Sequence, residues 1–133
     1  MNIMGLEITW PLIWPTERRK AERARTHGTL AINVNSPLQM ISGNAEGRDI
    51  SILGIRFASF LKLSLGTPIE VTLQFSMEAD RETTIRAHAH VLRCYRRSYQ
   101  SRYRVACAFD DLDSASCDDI QSYVSWLRKS PHR

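Results

Sequence analysis

Apolar and polar residues alternate with a period of two over several segments of the chain. In residues 69–76 every odd position is apolar and every even position is polar, and residues 85–91 alternate in the same way. Residues 103–109 also carry apolar side chains at every odd position. Because successive side chains of a strand point to opposite faces, these segments predict half-buried β-strands. Such strands need neighbours and a covered face, so we expect a mainly β domain.

The first half of the chain gives shorter strand patterns separated by turn-forming residues. Residues 30–34 alternate and predict a strand. Residues 35–47 contain several Gly, Asn, Ser and Pro residues and predict a loop or a loose hairpin. The alternation resumes near residue 50 and changes parity at Gly54, which predicts a tight turn or a bulge there. Residues 96–101 are the predicted hairpin between the last two strands.

The C-terminal part of the chain changes to helical spacing. Asp113 or Ser114 can cap the start of a helix, acidic residues follow in the early turns, and basic residues occupy the last turn. About six short strands followed by one helix predict a six-stranded antiparallel β-barrel with a C-terminal α-helix packed against it. The apolar stripe of this helix falls at Cys117, Ile120, Val124 and Leu127.

Length, charge and cysteine content restrict the class of protein. The chain has 133 residues, enough for one domain, and a net charge of +4 with far more Arg than Lys. Arg pairs through two N–H groups with phosphate and guanine, although a GC-rich genome explains the excess equally well. Three irregularly spaced cysteines fit a reducing cytosol. The sequence contains no apolar run near ~20 residues and no signal-peptide pattern, so we expect a cytoplasmic protein without a membrane span.

Motifs of catalysis and of metal binding are missing from the sequence. It contains no Gly-rich phosphate loop, no HExxH and no GxSxG, and no acid–base pair stands out. His88 and His90 share a strand face at a spacing that can bind metal, but no third ligand has suitable spacing, which favours a solvated face. The cysteines are interpreted as small core residues. We therefore expect neither an enzyme nor a metal site.

Two short motifs remain. Arg19 and Arg23 form an RxxxR motif, and Asp49, Ser51 and Gly54 form a DxSxxG motif. Each has a structural explanation, because a charge run is usually solvated while Asp and Ser side chains cap turn amides and Gly permits unusual backbone. Neither motif is specific by itself.

In this order, with Asp49 26 positions after Arg23, the two motifs resemble the PilZ domain family. The segment 103–112 is similar to the late strand of that family and the short acidic and apolar stretch after it, although Ala106 stands where many members carry Gly and Leu53 replaces another frequent Gly. The resemblance covers about residues 17–128. It implies a PilZ-like domain over residues 18–129. The preceding residues 1–17 are a predicted tail, and we expect its Trp10 and Trp14 to dock on the domain or on a partner because large aromatic side chains are costly to leave in water.

The ligand that the resemblance implies is cyclic di-GMP, a bacterial second messenger with two phosphates and two guanines. The resemblance and the chemistry of the ligand together assign binding roles to Arg18, Arg19, Arg23, Asp49, Ser51 and Gly54. The arginines would contact phosphate and guanine, Asp49 and Ser51 would lie at a guanine edge, and Gly54 would allow the turn and the close approach of the ligand. Arg18, directly before RxxxR, implies an intercalated dimer of the ligand.

The leading hypothesis is a stand-alone cyclic di-GMP receptor that passes its signal to an unidentified partner protein through ordering of the Arg-rich segment. One alternative is a PilZ-like adaptor that binds no nucleotide. Another is a small basic β-domain that binds single-stranded nucleic acid. For the hairpin residues that would bind nucleic acid, a solvated hairpin is the favoured interpretation, because a net charge of +4 is modest for a polyanion binder. The surface would consist of Arg93, Arg96, Arg97, Arg102 and Arg104 with Tyr95, Tyr99 and Tyr103.

Overall fold

Seven strands and one helix make up residues 21–78 and 81–129, the part of the chain that a computed structural model describes. The predicted tail with Trp10 and Trp14 lies outside these residues, and so do Arg18 and Arg19. The strands are β1 (Ala24–Arg25), β2 (Leu30–Ser36), β3 (Ile41–Ile50), β4 (Gly54–Ser59), β5 (Pro68–Glu78), β6 (Arg81–Tyr95) and β7 (Tyr103–Phe109), and the helix is α1 (Ser114–Lys129).

Six of the strands close into an antiparallel barrel. They are hydrogen-bonded in the order β3-β2-β5-β6-β7-β4, and β4 pairs again with β3 to close the ring. The two-residue strand β1 pairs with the last residues of β3, beyond the point where β2 begins. The odd-numbered apolar side chains of residues 69–75 in β5 and 85–91 in β6 are buried in the barrel, as the alternation requires. The predicted six-stranded antiparallel barrel with a C-terminal helix is therefore confirmed.

Of the two alternatives predicted for residues 35–47, a loop or a loose hairpin, the structure has the hairpin. Only residues 37–40 form a turn, and β3 runs on through two glycines. A methyl group at Gly47 would lie 3.1 Å from a Leu30 methyl carbon and 3.2 Å from the Thr26 hydroxyl oxygen, so the missing side chain leaves space for the neighbouring strand. Hydrogen bonding to strands on both sides of β3 outweighs the poor strand propensity of these residues.

Helix α1 begins after Asp113, whose carboxylate accepts a 2.7 Å hydrogen bond from the backbone N–H of Ser116. The predicted stripe is buried at Ile120, Val124 and Leu127, whereas Cys117 is only half-buried. The stripe omitted Tyr123, which is fully buried and stacks on Phe75 with ring centroids 4.0 Å apart. Its hydroxyl forms a hydrogen bond with Thr29. These contacts hold α1 across one end of the barrel.

The opposite end of the barrel carries the turn 37–40, the loop 60–67 and the hairpin 96–102; we refer to it as the open end. The two ends therefore differ in character, since one is covered by a helix and the other presents loops. Within the described residues, no helix is both long and apolar enough to cross a membrane.

Candidate functional site

The turn between β3 and β4 is built by the residues of the DxSxxG motif. The backbone N–H of Ser51 donates to the carbonyl oxygen of Gly54 at 3.0 Å, and the Ser51 hydroxyl accepts from the N–H of Leu53 at 3.1 Å. The Ser51 side chain is fully buried. Ser51 thus stabilises the turn in the way that serine caps commonly do, and its contact with a ligand stays a prediction.

Gly54 is required by a close approach between two strands. A Cβ atom at this position would lie 2.2 Å from the carbonyl oxygen of Cys107 on β7. The φ of Gly54 is not among the positive values found at His27, Gly28, Met40 and Gly66. Glycine is therefore needed at position 54 because the backbone of β7 leaves no space for a side chain, and not because the backbone is left-handed there.

The carboxylate of Asp49 lies between two arginines. A guanidinium nitrogen of Arg23 lies 2.7 Å from its Oδ1, and the Nε of Arg56 lies 3.0 Å from the same oxygen. The Asp49 side chain is 16% exposed, whereas those of Arg23 and Arg56 are 39% and 52% exposed. The structure thus brings together one residue of each motif. Arg56 was not expected from the sequence, because its place beside Asp49 depends on the pairing of β3 with β4.

The segment that enters this site is tied to the last turn of α1. The guanidinium of Arg128 donates to the carbonyl oxygen of Arg23 at 3.3 Å and lies 3.6 Å from the carboxylate of Glu22. A short strand pairing continues the connection, since Arg25 lies opposite Asp49. Movement of residues 22–25 would consequently disturb contacts with both the barrel and the helix.

A cleft of about 710 Å³ opens beside Asp49 on the side of the barrel. One row of paired residues crosses its floor from β4 to β6, namely Arg56, Ala106 and Arg93. Ala106 leaves a shallow place between the two flanking arginines. The basic side chains far outnumber the acidic ones, Glu46 and Asp49, so the cleft is suited to a ligand with more than one negative charge. Its arginines are Arg23, Arg25, Arg48, Arg56, Arg93 and Arg104.

Comparison with known families identifies this arrangement. The family model of the PilZ domain matches residues 17–126. The chain belongs to the PilZ domain family. No curated protein matches its sequence.

Solved structures with the same fold have low sequence identity to this PilZ domain. The Bacillus subtilis inhibitor of motility MotI/DgrA has a TM-score of 0.68 and 16% identity, covering 86% of this chain and 54% of its own. The K. pneumonia MrkH–c-di-GMP complex has a TM-score of 0.66 and 16% identity, covering 84% and 52%. The PilZ domain of Escherichia coli YcgR with c-di-GMP has a TM-score of 0.62 and 13% identity, covering 84% and 92%. The chain therefore spans about half the length of MotI and MrkH.

The residues of the basic surface predicted for nucleic acid make different contacts in this PilZ domain. Arg93, Arg104 and Tyr95 line the cleft. Arg96 instead lies over the ring of Tyr103, 5.3 Å from its centroid, while Arg102 lies over the ring of Phe60 and pairs with Glu46 at 3.0 Å. Two of the hairpin arginines are thus engaged in contacts within the domain.

His88 and His90 lie outside the cleft and pair with carboxylates after β7. Nδ1 of His88 is 2.8 Å from Asp111, and Nδ1 of His90 is 2.6 Å from Asp110. The hydrogen bond with Asp111 raises the pKa of His88, and the same bond lowers the pKa of Asp111. In residues 21–78 and 81–129 no group of three or more His, Cys, Asp or Glu side chains could hold a metal ion.

The cysteines of the barrel are free thiols. Burial raises the pKa of Cys107 to about 12, which keeps it protonated. Cys107 lies opposite Val91 and Cys94 lies opposite Val105, so the two cysteines do not face each other directly. These positions fit the interpretation of Cys107 as a core residue.

Proposed function

We propose that this PilZ domain is a receptor for cyclic di-GMP, which binds in the arginine-lined cleft, and that it carries out no catalysis. The observation that carries the proposal is the convergence of Arg23 and Arg56 on Asp49 at the edge of the cleft. MrkH and the PilZ domain of YcgR, which share this fold, are described with c-di-GMP. Their likeness supports the choice of ligand, and the charge of the cleft supports the binding of its two phosphates.

The chemistry of the site suits the two parts of the ligand. Guanidinium groups donate paired hydrogen bonds to phosphate oxygens and to O6 and N7 of guanine. The Asp49 carboxylate can accept from N1–H and N2–H₂ of guanine, and both arginines approach only one of its oxygens, Oδ1. Arg18 and Arg19, which lie outside the described residues, would close over the ligand. Ser51 and Gly54 shape the turn that follows Asp49 at the end of β3, and Ser51 would also lie near the guanine edge.

Signal transmission would follow from ordering of the Arg-rich segment. Fixing each residue costs about 1–2 kcal/mol of backbone entropy, which the charge-assisted contacts with the ligand must offset. Arg128 joins this segment to α1, so closure of the segment would also change the surface near the end of the helix. In this proposal a separate partner protein in the cytoplasm recognises the changed surface.

The proposed complex holds two intercalated ligands for each chain, with Arg18 contacting the second. The cleft supports this stoichiometry because its arginines extend from β1 across to β6, beyond the residues of the two motifs. A stacked pair of ligands presents four phosphates, and additional guanidinium groups would lower their mutual repulsion.

Calorimetric titration of the full chain with cyclic di-GMP tests the receptor, with cyclic di-AMP as a competitor of matched charge. Arg23→Ala and Asp49→Ala should each weaken binding by about 10- to 150-fold, which corresponds to loss of one charged hydrogen bond of about 1.5–3 kcal/mol. Arg86→Ala, an exposed arginine of β6 that does not line the cleft, is the matched control and should bind normally.

The alternatives predict different titrations. A PilZ-like adaptor would give no heat with cyclic di-GMP, and a nucleic-acid binder would prefer single-stranded oligonucleotides in a manner that falls steeply with salt. Equal affinity for cyclic di-GMP and cyclic di-AMP would show that Asp49 does not recognise guanine. Unchanged affinity in both cleft variants, with normal circular dichroism, would refute the site.

A further inference from the structure

The five most exposed large apolar side chains of the described residues gather at the open end of the barrel, whereas Leu92 and Tyr95 of β6 are 45% and 42% exposed. Leu38, Met40, Phe60, Leu65 and Tyr99 are between 66% and 89% exposed, and all five lie in the three loops of that end. Single exposed apolar residues are common, but a group confined to one end of a domain indicates a contact surface. We name residues 37–40, 60–67 and 96–102 the loop platform.

Side-chain contacts join the three parts of the loop platform. The Gln39 amide donates to the carbonyl oxygen of Lys62 at 3.2 Å and accepts from the N–H of Ser64 at 2.9 Å, which ties the turn to the next loop. Arg102 of the hairpin lies over the ring of Phe60, 5.0 Å from its centroid. The exposed side chains are therefore carried on connected loops, so they can act together on one partner.

Met40 is an unexpected residue for its position. Its φ is +57°, in the left-handed region where Asn or Gly is less strained, and its side chain is 89% exposed. Neither the backbone nor the packing of the domain explains a large apolar side chain here. A contact made outside the domain would explain it.

The charge of the loop platform is uniformly basic. Its three segments contain Lys62, Arg96, Arg97 and Arg102 and no acidic residue, although Arg102 pairs with Glu46 of β3. Like charges disfavour a second copy of the chain packed end to end on this surface. The apolar side chains stand on separate loops, so a folded protein would need several matching hollows, whereas a lipid interface adjusts to them. Basic residues beside exposed Leu, Met, Phe and Tyr are the composition of surfaces that enter the headgroup region of anionic membranes.

We infer that the loop platform docks on the surface of an anionic phospholipid bilayer. Leu38, Met40 and Leu65 enter the interface between headgroups and acyl chains, while Lys62 and Arg97 contact lipid phosphates. Docking in this orientation leaves the cleft on the side of the barrel accessible, so it does not depend on the proposed ligand.

Co-sedimentation of the full chain with vesicles tests this inference. The probes are vesicles of phosphatidylcholine alone and vesicles of phosphatidylcholine containing phosphatidylglycerol, in the absence of nucleotide. We expect the chain to sediment with the second kind only. The double variant Leu38→Asn/Met40→Asn should lower the partition constant by about ten-fold or more, because two apolar side chains no longer enter the interface. Asn at position 40 also fits the positive φ, so the variant should remain folded.

Charge variants separate docking at this end from general attraction. Lys62→Gln and Arg97→Gln should each lower partitioning about five-fold, since one basic residue near an anionic surface is worth about 1 kcal/mol. Arg86→Gln removes the same charge from the side of the barrel and should have little effect.

Three results would overturn the inference. The first is failure to sediment with either kind of vesicle, which would leave an acidic protein as the occupant of the loop platform. The second is an equal decrease in vesicle partitioning for Arg97→Gln and Arg86→Gln, with normal sedimentation of Leu38→Asn/Met40→Asn. That result would show that binding depends only on net charge. The third is a concentration-dependent dimer that only this double variant abolishes, which would assign the surface to a second copy.

Discussion

Gly54→Ala should destabilise the barrel far more than an ordinary glycine substitution does. The added Cβ would lie 2.2 Å from the carbonyl oxygen of Cys107. Close carbon–oxygen contacts between strands are usually about 3.3 Å or longer, so β4 and β7 would have to separate by about 1 Å at this point. The separation strains two backbone hydrogen bonds of 3.0 Å, from Phe109 to Leu53 and from Ser51 to Gly54.

The magnitude follows from the two effects that this separation combines. Overpacking of an ordered interior costs about 1–3 kcal/mol, and each weakened hydrogen bond up to about 1 kcal/mol. We therefore expect Gly54→Ala to lower the free energy of unfolding by about 2–5 kcal/mol. For a domain of this size the thermal midpoint falls by about 4 °C per kcal/mol, so the expected decrease is about 8–20 °C.

Thermal unfolding followed by circular dichroism measures this decrease, and Gly43→Ala is the matched control. A Cβ at Gly43 on β3 would make an ordinary 3.5 Å contact with the Leu61 side chain. Because alanine also restricts the unfolded chain, Gly43→Ala should leave the midpoint unchanged or raise it slightly. Equal midpoints for the two variants would refute the argument that the approach of β7 excludes a side chain at position 54.

Three further predictions concern the ligand stoichiometry, the pH dependence and the helix. Arg18→Leu should shift the calorimetric stoichiometry from two cyclic di-GMP per chain toward one while retaining binding; a value near one for the unaltered chain would contradict the intercalated pair. His88→Gln removes the pair with Asp111, whose hydrogen bond raises the pKa of His88 above 6.5 and lowers that of Asp111 below 3.8. The thermal midpoints of the variant and the unaltered chain should therefore differ most between pH 3.8 and pH 6.5, and the difference should shrink as the pH rises through the folded-state pKa of His88. A difference that stays constant up to pH 9 would contradict this prediction. Tyr123→Phe keeps the stacking on Phe75 but loses the hydrogen bond with Thr29, and should cost about 1 kcal/mol in urea unfolding.

The strands of the barrel could be predicted where apolar and polar side chains alternate strictly. They could not be predicted where small residues interrupt this alternation. In β5 the inward positions are large and apolar, so the period of two was visible in the sequence. In β3 the positions around Gly43 and Gly47 have little or no side chain, and their strand conformation comes from pairing with β2 and β4. Tyr123 was omitted from the helical stripe because its polar hydroxyl hides a fully buried ring.

The residues of the candidate site also differ in how far the sequence could predict them. Arg23 and Asp49 could be recognised because they belong to short motifs with a characteristic separation, and the structure places them 2.7 Å apart. Arg56, Arg93 and Arg104 line the same cleft but belong to no local motif. Their proximity depends on the register of β4, β6 and β7, including the irregularities at residues 48 and 92, which no local pattern encodes.

The contacts of Asp49 affect how mutations at the proposed site should be interpreted. In the structure Oδ1 of Asp49 already has two guanidinium partners, so a guanine that pairs with both carboxylate oxygens would compete with Arg23 and Arg56 at Oδ1. The measured affinity is then a difference between two sets of charged hydrogen bonds. Because these side chains are partly exposed, the ion pairs themselves contribute little to folding, and removal of Arg23 should affect binding more than stability. Asp49→Ala differs, because it leaves Arg23 and Arg56 facing each other at the edge of the cleft without the charge that holds them together. Part of its effect on affinity would thus come from repulsion between cations rather than from a lost contact with guanine, and Asp49→Asn, which removes the charge but keeps an acceptor oxygen, separates the two contributions.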